Sequence, residues 1–167
     1  MPVQDEGPIL FIRPSALGDV CRSVGVVASL ARAFPGRPVD WIVQSGFEDA
    51  IRHHPAVRDA IVFPRRELGA ALRRGDARPL RAFLAGLRAR GHTLAIDGQG
   101  LFRSGFVARA SGAAERVGYA NAQEGAWLFY TRRAHARRGM HAVDRMMRLL
   151  RPLGIDPGPP DLRLHAE

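Results

Sequence analysis

The sequence contains no lysine, although it carries 25 basic residues, all of them arginine. Against 16 acidic residues this gives a formal net charge of +9 at pH 7. So basic a surface indicates a polyanionic partner: nucleic acid, an anionic membrane face, or a phosphorylated or acidic small molecule. Arginine binds phosphate and carboxylate through a planar fork of two donors, which lysine lacks. Charge alone does not choose among these partners.

Cysteine and long apolar runs are also scarce. Cys21 is the single cysteine, which excludes an internal disulfide and a cysteine-based metal cluster. No apolar run approaches the length of a transmembrane helix. The first six residues do not have the basic and then apolar layout of a secretory signal, so we expect a cytoplasmic location. With 46% hydrophobic residues in a chain of 167, one ordinary domain can bury a core.

Short apolar runs alternate with helical periodicity along the chain. Strands are predicted at residues 9–12, 39–43, 60–63, 93–96 and 116–119, with helices between them. This alternation predicts an α/β fold, with a mainly parallel sheet and helices on both faces. Residues 65–77 are arginine-rich and weakly patterned, so we expect a loop or an irregular helix there. Arg132 and Arg133 are expected in a loop.

The first strand leads into a turn that contains one glycine and one acidic residue. Residues 9–12 are apolar, and helical spacing begins close to Gly18 or Asp19. A carboxylate in the first turn of a helix is stabilised in its ionised form by the helix dipole. Open α/β sheets also place their ligands at the carboxyl ends of strands. Asp19 is therefore either a functional carboxylate or a plain helix cap, and the spacing leaves both open.

A second turn of the same kind follows the fourth strand, at residues 97–104. Gly98 and Gly100 would let a ligand approach the backbone, and the polar residues after Asp97 offer hydrogen-bond donors. A dinucleotide fingerprint would need a third glycine at position 103, where arginine stands, and no Walker sequence is present. We therefore predict no nucleotide cofactor on this chain. The preferred interpretation of Asp97 is a cap for the helix that follows.

Four segments together carry a resemblance to a known family. They are Ile12-Arg13-Pro14-Ser15-Ala16-Leu17-Gly18-Asp19-Val20, Asp97-Gly98-Gln99-Gly100-Leu101-Phe102-Arg103-Ser104, Arg116-Val117-Gly118-Tyr119 and His141-Ala142-Val143-Asp144-Arg145. In order and separation they resemble glycosyltransferase family 9, the heptosyltransferases of lipopolysaccharide inner-core synthesis, and most closely the branch that adds the first heptose. The resemblance implies a GT-B fold, in which two Rossmann-like domains enclose the active site.

The resemblance runs from about residue 8 to residue 164 and so covers the N-terminal, acceptor-side domain of that fold. We expect residues 1–155 to form this domain and residues 156–167 to begin a linker toward a C-terminal donor domain. On this reading the chain is a fragment, a truncated gene product or half of a split pair. By itself it would be inactive.

The resemblance also implies a reaction. The family transfers heptose from ADP-heptose to Kdo-lipid A or the inner core of lipopolysaccharide, with inversion and without a metal or other cofactor. The acid of the Gly-Asp turn, here Asp19, would be the general base, and the donor would bind mainly to the other domain. We then expect the protein at the inner leaflet of the cytoplasmic membrane, on an anionic lipopolysaccharide precursor and with no nucleic-acid partner.

Eight further residues are predicted to bind the acceptor. They are Ser15, Gly18, Arg65, Arg66, Gln99, Arg103, Ser104 and Gln123. At Gln123 the sequence departs from the family, which usually has Arg-Glu where this chain has Gln-Glu. A neutral amide cannot replace a guanidinium on an anionic acceptor, so the departure leaves the identity of the acceptor open.

Two other functions stay open at this point. The first is a non-catalytic, arginine-rich α/β module that binds an anionic glycolipid or another polyanion. The second is a nucleotide-binding Rossmann domain, for which we expect no binding of NAD or ADP because the nucleotide site would lie outside this chain. The aromatic residues near Trp127 fit a core better than a base-stacking platform, and no RNA-binding signature accompanies them.

Overall fold

The computed structural model describes residues 7–137 and 139–165. In chain order its elements are β1 (Ile9–Ile12), α1 (Leu17–Ala33), β2 (Val39–Gln44), the 3₁₀ helix η1 (Glu48–Ala50), β3 (Val57–Phe63), α2 (Arg65–Arg73), α3 (Arg78–Ala89), β4 (Leu94–Asp97), α4 (Phe102–Ala110), β5 (Glu115–Tyr119), η2 (Ala126–Phe129), β6 (Arg132–Ala134), α5 (Ala142–Met147) and η3 (Arg148–Leu153). The predicted fold class, a Rossmann-like α/β domain, is confirmed.

The six strands form one parallel sheet in the order β3-β2-β1-β4-β5-β6. The chain builds outward from β1 to β3 and then returns to the other side of β1 with β4. The carboxyl ends of β1 and β4 therefore border the crevice where the strand order reverses, which is the ligand position in open α/β sheets. Ile12 and Asp97, the last residues of the two strands, are partners in the register.

The sheet is buried on both faces because alternate residues of each strand enter different cores. Ile9 and Phe11 pack with α1, α5 and η3, and the Phe11 ring contacts Trp41 edge-on with centroids 4.9 Å apart. Leu10 and Ile12 enter the opposite core, with residues of α3 and α4. Within the described part of the chain no helix combines the length and apolarity needed to cross a bilayer.

Two segments differ from the sequence predictions. Residues 65–73 form the regular helix α2, where we expected a loop or an irregular helix. The helical pattern in the sequence is weak here, because only Leu68 and Ala71 are buried, three residues apart among exposed arginines. Arg132 and Arg133 begin strand β6 instead of a loop, and they pair with Val117 and Gly118. This strand has three residues and only its last is buried, so no alternation marks it.

A cluster of charged residues lies on β2, at the end of the sheet away from the crevice. The Asp40 side chain is fully buried. It accepts hydrogen bonds from Arg58 Nε at 2.8 Å, Arg90 Nη1 at 3.2 Å and His92 Nε2 at 2.8 Å. Burial opposes ionisation of Asp40, but the hydrogen bonds from His92 and Arg58 outweigh it and hold the pKa of Asp40 well below its usual range. One carboxylate thus connects β2 with β3 and with the segment before β4.

We predict that Asp40→Asn lowers the free energy of unfolding by about 3 kcal/mol at pH 7, because the guanidinium groups of Arg58 and Arg90 lose a buried counter-charge and His92 loses its carboxylate partner. A carboxylate with a lowered pKa contributes its stability above the unfolded-state pKa of about 3.9 and loses it as the pH falls below that value. The difference in unfolding free energy between Asp40→Asn and the unmodified chain should therefore be smaller at pH 3 than at pH 7. Urea unfolding at both pH values measures this.

The matched control is Asp49→Asn, because Asp49 is an exposed partner of Arg52. It should change the unfolding midpoint far less, since exposed ion pairs contribute little. Equal losses for the two variants, or a difference that does not depend on pH, would show that the Asp40 cluster is not a stabilising charge network.

Candidate active site

The two glycine-containing turns meet at the crevice. The backbone N–H of Gly98 donates to the carbonyl of Ile12 at 2.9 Å, so the second turn continues the pairing of β1 with β4. Arg13 Nη1 donates to the Gly98 carbonyl at 2.5 Å, and the backbone N–H of Ser15 donates to Gln99 Oε1 at 3.4 Å. Contacts from the end of β1 and from two residues of the first turn thus fix the second turn beside it.

Asp19 lies in the first turn of α1, and its carboxylate contacts arginine side chains. Arg13 Nη2 is 2.5 Å from Oδ2, and Arg22 Nη1 is 3.3 Å from Oδ1. The cap residue of α1 is Ala16, and no side chain caps this helix end. The Asp19 side chain is 30% exposed, whereas that of Arg13 is 12% exposed. Asp19 is therefore an accessible carboxylate with a fixed orientation, and it does not serve as a helix cap.

The carboxylate opens into a recess of about 330 Å³, which we call the Asp19 recess. Its walls are Arg13, Asp19, Gln99, Gly100, Leu101, Tyr119, Gln123, Met140, Ala142, Arg145 and Met146. The Arg145 guanidinium lies over the Tyr119 ring, 4.6 Å from its centroid. Arg145 makes no ion pair within the described residues, so its charge is available to an anion in this recess.

A second concave site lies beside the first and shares Gln99 and Leu101 with it. We call it the Arg65–Arg103 pocket; it is lined by Ile12, Pro14, Ser15, Ile42, Gln44, Phe63, Arg65, Gln99, Leu101, Arg103, Ser104 and Val107. It adjoins a wider groove of about 870 Å³ along α2, which Arg65, Arg66 and Arg73 line. The pocket combines an apolar lining with guanidinium groups, and its volume is about 50 Å³. It can therefore receive one anionic group or the end of a chain, while a larger ligand would extend into the wider groove.

The predicted site residues divide between these sites. Asp19 and Gln123 line the Asp19 recess, and Gln99 lines both sites. Ser15, Arg65, Arg103 and Ser104 line the Arg65–Arg103 pocket, and Arg66 lies in the adjoining groove. Gly18 lines none of these sites. The Ser104 hydroxyl already donates to the Leu101 carbonyl and accepts from the Leu101 N–H, so it fixes the start of α4.

Sequence reasoning missed Arg13 and Arg145 as site residues. Arg13 lies within the first segment that carried the family resemblance, but its place before a proline does not mark it as the contact between the two turns. Arg145 lies within a motif that carried the family resemblance, and its spacing from other site residues gave no further signal. Nowhere in the described ranges do three or more His, Cys, Asp or Glu side chains form a group that could hold a metal ion.

Asp97 has a different role from Asp19, although both follow a strand. It is fully buried and accepts hydrogen bonds from the N–H groups of Gln99 and Gly100, at 2.9 and 3.1 Å, and from Tyr130 Oη at 2.6 Å. Burial raises the pKa of Asp97 even though these hydrogen bonds favour the ionised form. Asp97 therefore fixes the glycine turn itself, where we had expected a cap for the following helix.

The position of Tyr130 depends on a glycine in β5. A β-carbon added to Gly118 would lie 2.2 Å from two atoms of the Tyr130 ring, which is far inside contact distance. Gly118 therefore lets the tyrosine cross the strand and reach Asp97. This explains the glycine of the Arg-Val-Gly-Tyr segment as a packing requirement.

Proteins of known family resemble this chain over most of its length. The family described as glycosyltransferase family 9 (heptosyltransferase) matches residues 80–165, just over half of the chain. Lipopolysaccharide heptosyltransferase 1 of Pseudomonas aeruginosa is 34% identical over 148 residues, covering 84% of this chain and 41% of that protein. The protein of the same name from Escherichia coli K12 is 33% identical over 145 residues, covering 84% and 46%.

Among solved structures, E. coli heptosyltransferase WaaC with ADP superposes with a TM-score of 0.77 at 28% identity, covering 93% of this chain and 50% of that one. E. coli ADP-heptose lps heptosyltransferase II has a TM-score of 0.69 at 22% identity, covering 90% and 41%, which supports the fold alone. The chain thus spans somewhat less than half the length of the curated relatives it matches.

We predict that Tyr130→Phe lowers the free energy of unfolding by about 1–3 kcal/mol, because Oδ2 of buried Asp97 loses its hydroxyl donor. The matched control is Tyr119→Phe, because the Tyr119 hydroxyl makes no hydrogen bond within the described residues. Chemical unfolding of both variants measures the difference. Equal stability of the two variants would show that the Tyr130–Asp97 contact does not hold the second turn.

Proposed function

The chain belongs to glycosyltransferase family 9, the heptosyltransferases, and we propose that it provides the acceptor side of a metal-independent, inverting transfer of heptose from ADP-heptose. The observation that supports this most directly is the Asp19 carboxylate. It is partly exposed, held by Arg13 and Arg22, and placed at the strand-order reversal of the sheet. This is a suitable position for a general base toward a substrate hydroxyl.

In the proposed reaction the acceptor oxygen attacks the anomeric carbon of the heptose from the face opposite the leaving group. A bond forms between that oxygen and the anomeric carbon, while the bond from this carbon to the β-phosphate oxygen breaks and releases ADP. Asp19 takes the hydroxyl proton as the bond forms. Such assistance contributes about 10²–10⁴-fold to the rate. Arg13 is a positioning residue, because it contacts the carboxylate and the neighbouring turn.

We propose that the Arg65–Arg103 pocket and the groove beside it bind the anionic groups of the acceptor, a Kdo-lipid A or inner-core lipopolysaccharide. Arg65, Arg66 and Arg103 form no ion pair within the described residues, so their guanidinium groups can pair with carboxylate and phosphate. Arg145 in the Asp19 recess would provide a further positive charge beside the reacting hydroxyl. It lines the same recess as Gln123, the position where the family usually has arginine.

We further propose that the donor binds mainly to a domain outside these 167 residues, so that residues 1–155 are the acceptor domain and residues 156–167 lead toward the donor domain. The last element ends at Leu153, and the described residues after it form neither helix nor strand. E. coli heptosyltransferase WaaC has been solved with ADP-2-deoxy-2-fluoro heptose, which supports ADP-heptose as the donor. We expect no heptose transfer by residues 1–167 alone.

Asp19→Asn should lower the transfer rate by about 10²–10⁴-fold, because an amide cannot accept the proton. Affinity for the acceptor should stay within about twofold, because the charges proposed to bind it remain. Transfer is measured with residues 1–155 joined to the remaining part of the P. aeruginosa relative, and acceptor binding with the 167-residue chain by calorimetry.

The matched control is Asp49→Asn, which removes an exposed carboxylate of η1 outside both sites. Undiminished transfer by the Asp19→Asn protein would remove Asp19 from the chemistry. Acceptor binding by the chain, combined with no transfer in a folded fusion carrying Asp19, would favour the non-catalytic glycolipid-binding module.

Arg103→Gln and Arg65→Gln should each weaken binding of the Kdo-lipid A oligosaccharide by about tenfold, because each removes a charge-assisted hydrogen bond. The control is Arg78→Gln, because Arg78 is exposed, pairs with Asp76 and lines neither site. Calorimetric titration at one fixed ionic strength measures all three. Equal weakening by Arg78→Gln would show that only the overall charge matters.

A further inference from the structure

Exposed apolar side chains are concentrated on one surface. Among the described residues, eight large hydrophobic side chains are exposed, and four of them belong to α4 and η2. Phe102 is 49% exposed, Phe106 38%, Trp127 38% and Leu128 67%. We call these four residues the aromatic surface. Such a concentration on one part of a protein marks an interaction site more often than scattered exposed residues do.

The aromatic surface is built by close packing of two short elements. Gly105 lets η2 approach α4, because an added β-carbon there would lie 2.8 Å from the Phe129 ring. Phe129 fills the space between the elements and contacts Phe102 and Phe106 edge-on, with ring centroids 5.3 and 6.3 Å apart. The surface is therefore held in place before any partner binds.

Positive charge accompanies these side chains. The Arg133 guanidinium lies over the Trp127 ring, 5.0 Å from its centroid, and its Nε donates to the Trp127 carbonyl at 3.2 Å. Arg109 is exposed and lies on the same face of α4 as Phe102 and Phe106, seven residues after Phe102. A neighbouring acid, Glu124, accepts a hydrogen bond from the N–H of Phe102 at 3.1 Å.

We propose that the aromatic surface docks on an anionic lipid bilayer, with Trp127 and Leu128 entering the headgroup region and Arg109 and Arg133 contacting lipid phosphates. Tryptophan beside arginine is the combination that favours membrane interfaces, where one part of a side chain is apolar and another is wet. A second copy of the chain fits less well. Two like surfaces in a symmetric dimer would bring their arginines together, in a chain of net charge +9.

The choice of a bilayer rests on the proposed function, because a lipid-anchored acceptor would be presented from a membrane. Helix α4 contributes residues both to the Arg65–Arg103 pocket and to the aromatic surface. Arg103, Ser104 and Val107 of this helix line the Arg65–Arg103 pocket, while Phe102 and Phe106 belong to the aromatic surface. Docking through the aromatic surface would therefore place the acceptor pocket close to the lipid headgroups.

The two tryptophans make the proposal directly testable. Trp41 is fully buried in the core, so a change in tryptophan emission on addition of vesicles reports on Trp127. The 167-residue chain is mixed with vesicles of phosphatidylglycerol and phosphatidylethanolamine that contain no lipopolysaccharide, and binding is also followed by co-sedimentation. We expect a blue shift and sedimentation with these vesicles, and much weaker binding to phosphatidylcholine at the same ionic strength.

Leu128→Glu should reduce the affinity for the anionic vesicles about tenfold or more. The substitution removes an apolar side chain from the bilayer and adds a negative charge that the anionic headgroups repel. Arg109→Gln should reduce it about fivefold, which is the contribution of one basic residue near an anionic surface. The matched control is Leu72→Glu on α2, which makes the same change at a leucine that is 47% exposed outside the aromatic surface. It should bind nearly as the unmodified chain does.

Three results would overturn the proposal. They are no binding to anionic vesicles, equal losses for Leu128→Glu and Leu72→Glu, and a dimer in light scattering that Leu128→Glu dissociates. The last would assign the surface to a second copy. Because the vesicles carry neither acceptor nor donor, these results do not depend on Asp19 chemistry. Failure of the transfer experiment with intact vesicle binding would instead reject the proposed reaction alone.

Discussion

The candidate site depends on the contact of one guanidinium group with two turns. Arg13 donates to the Gly98 carbonyl and to the Asp19 carboxylate, so the turn after β1 and the turn after β4 are held in one arrangement. The parallel pairing of Ile12 with Asp97 brings these turns side by side. Arg13 then fixes the direction in which Asp19 points. Without it, only the longer contact with the more exposed Arg22, at 3.3 Å, would orient the carboxylate.

Asp19 and Asp97 both lie at the crevice, but their environments give the two carboxylates different roles. Asp19 contacts arginines and solvent, whereas Asp97 is enclosed and accepts hydrogen bonds from two backbone N–H groups and a tyrosine. Burial raises the pKa of Asp97, and its side chain is enclosed and does not face a ligand site. The enclosed carboxylate orders the turn, and the accessible one lines the Asp19 recess.

Much of the fold was readable from the sequence, because buried strands such as Ile9–Ile12 are short apolar runs bounded by turn residues. Asp19 could also be singled out, because a carboxylate between a strand and a helix lies at a known ligand edge. Strand β6 was not readable, since its arginines carry no alternation. Arg13 and Arg145 were missed because their contacts, with Gly98 and with the Tyr119 ring, join residues far apart in the chain.

Gly118, in the middle of β5, influences the geometry of the crevice through a series of contacts. Gly118 lies beneath the Tyr130 ring, and Tyr130 bonds to Asp97, which in turn holds the backbone of Gln99 and Gly100. A β-carbon at position 118 would displace the Tyr130 ring, and Asp97 would lose its hydroxyl donor. The loop that contains Gln99 and lines both concave sites would then be held less firmly. Variation at positions 118 and 130 should therefore be correlated among related chains, with a bulkier residue at one tolerated only alongside a smaller side chain at the other.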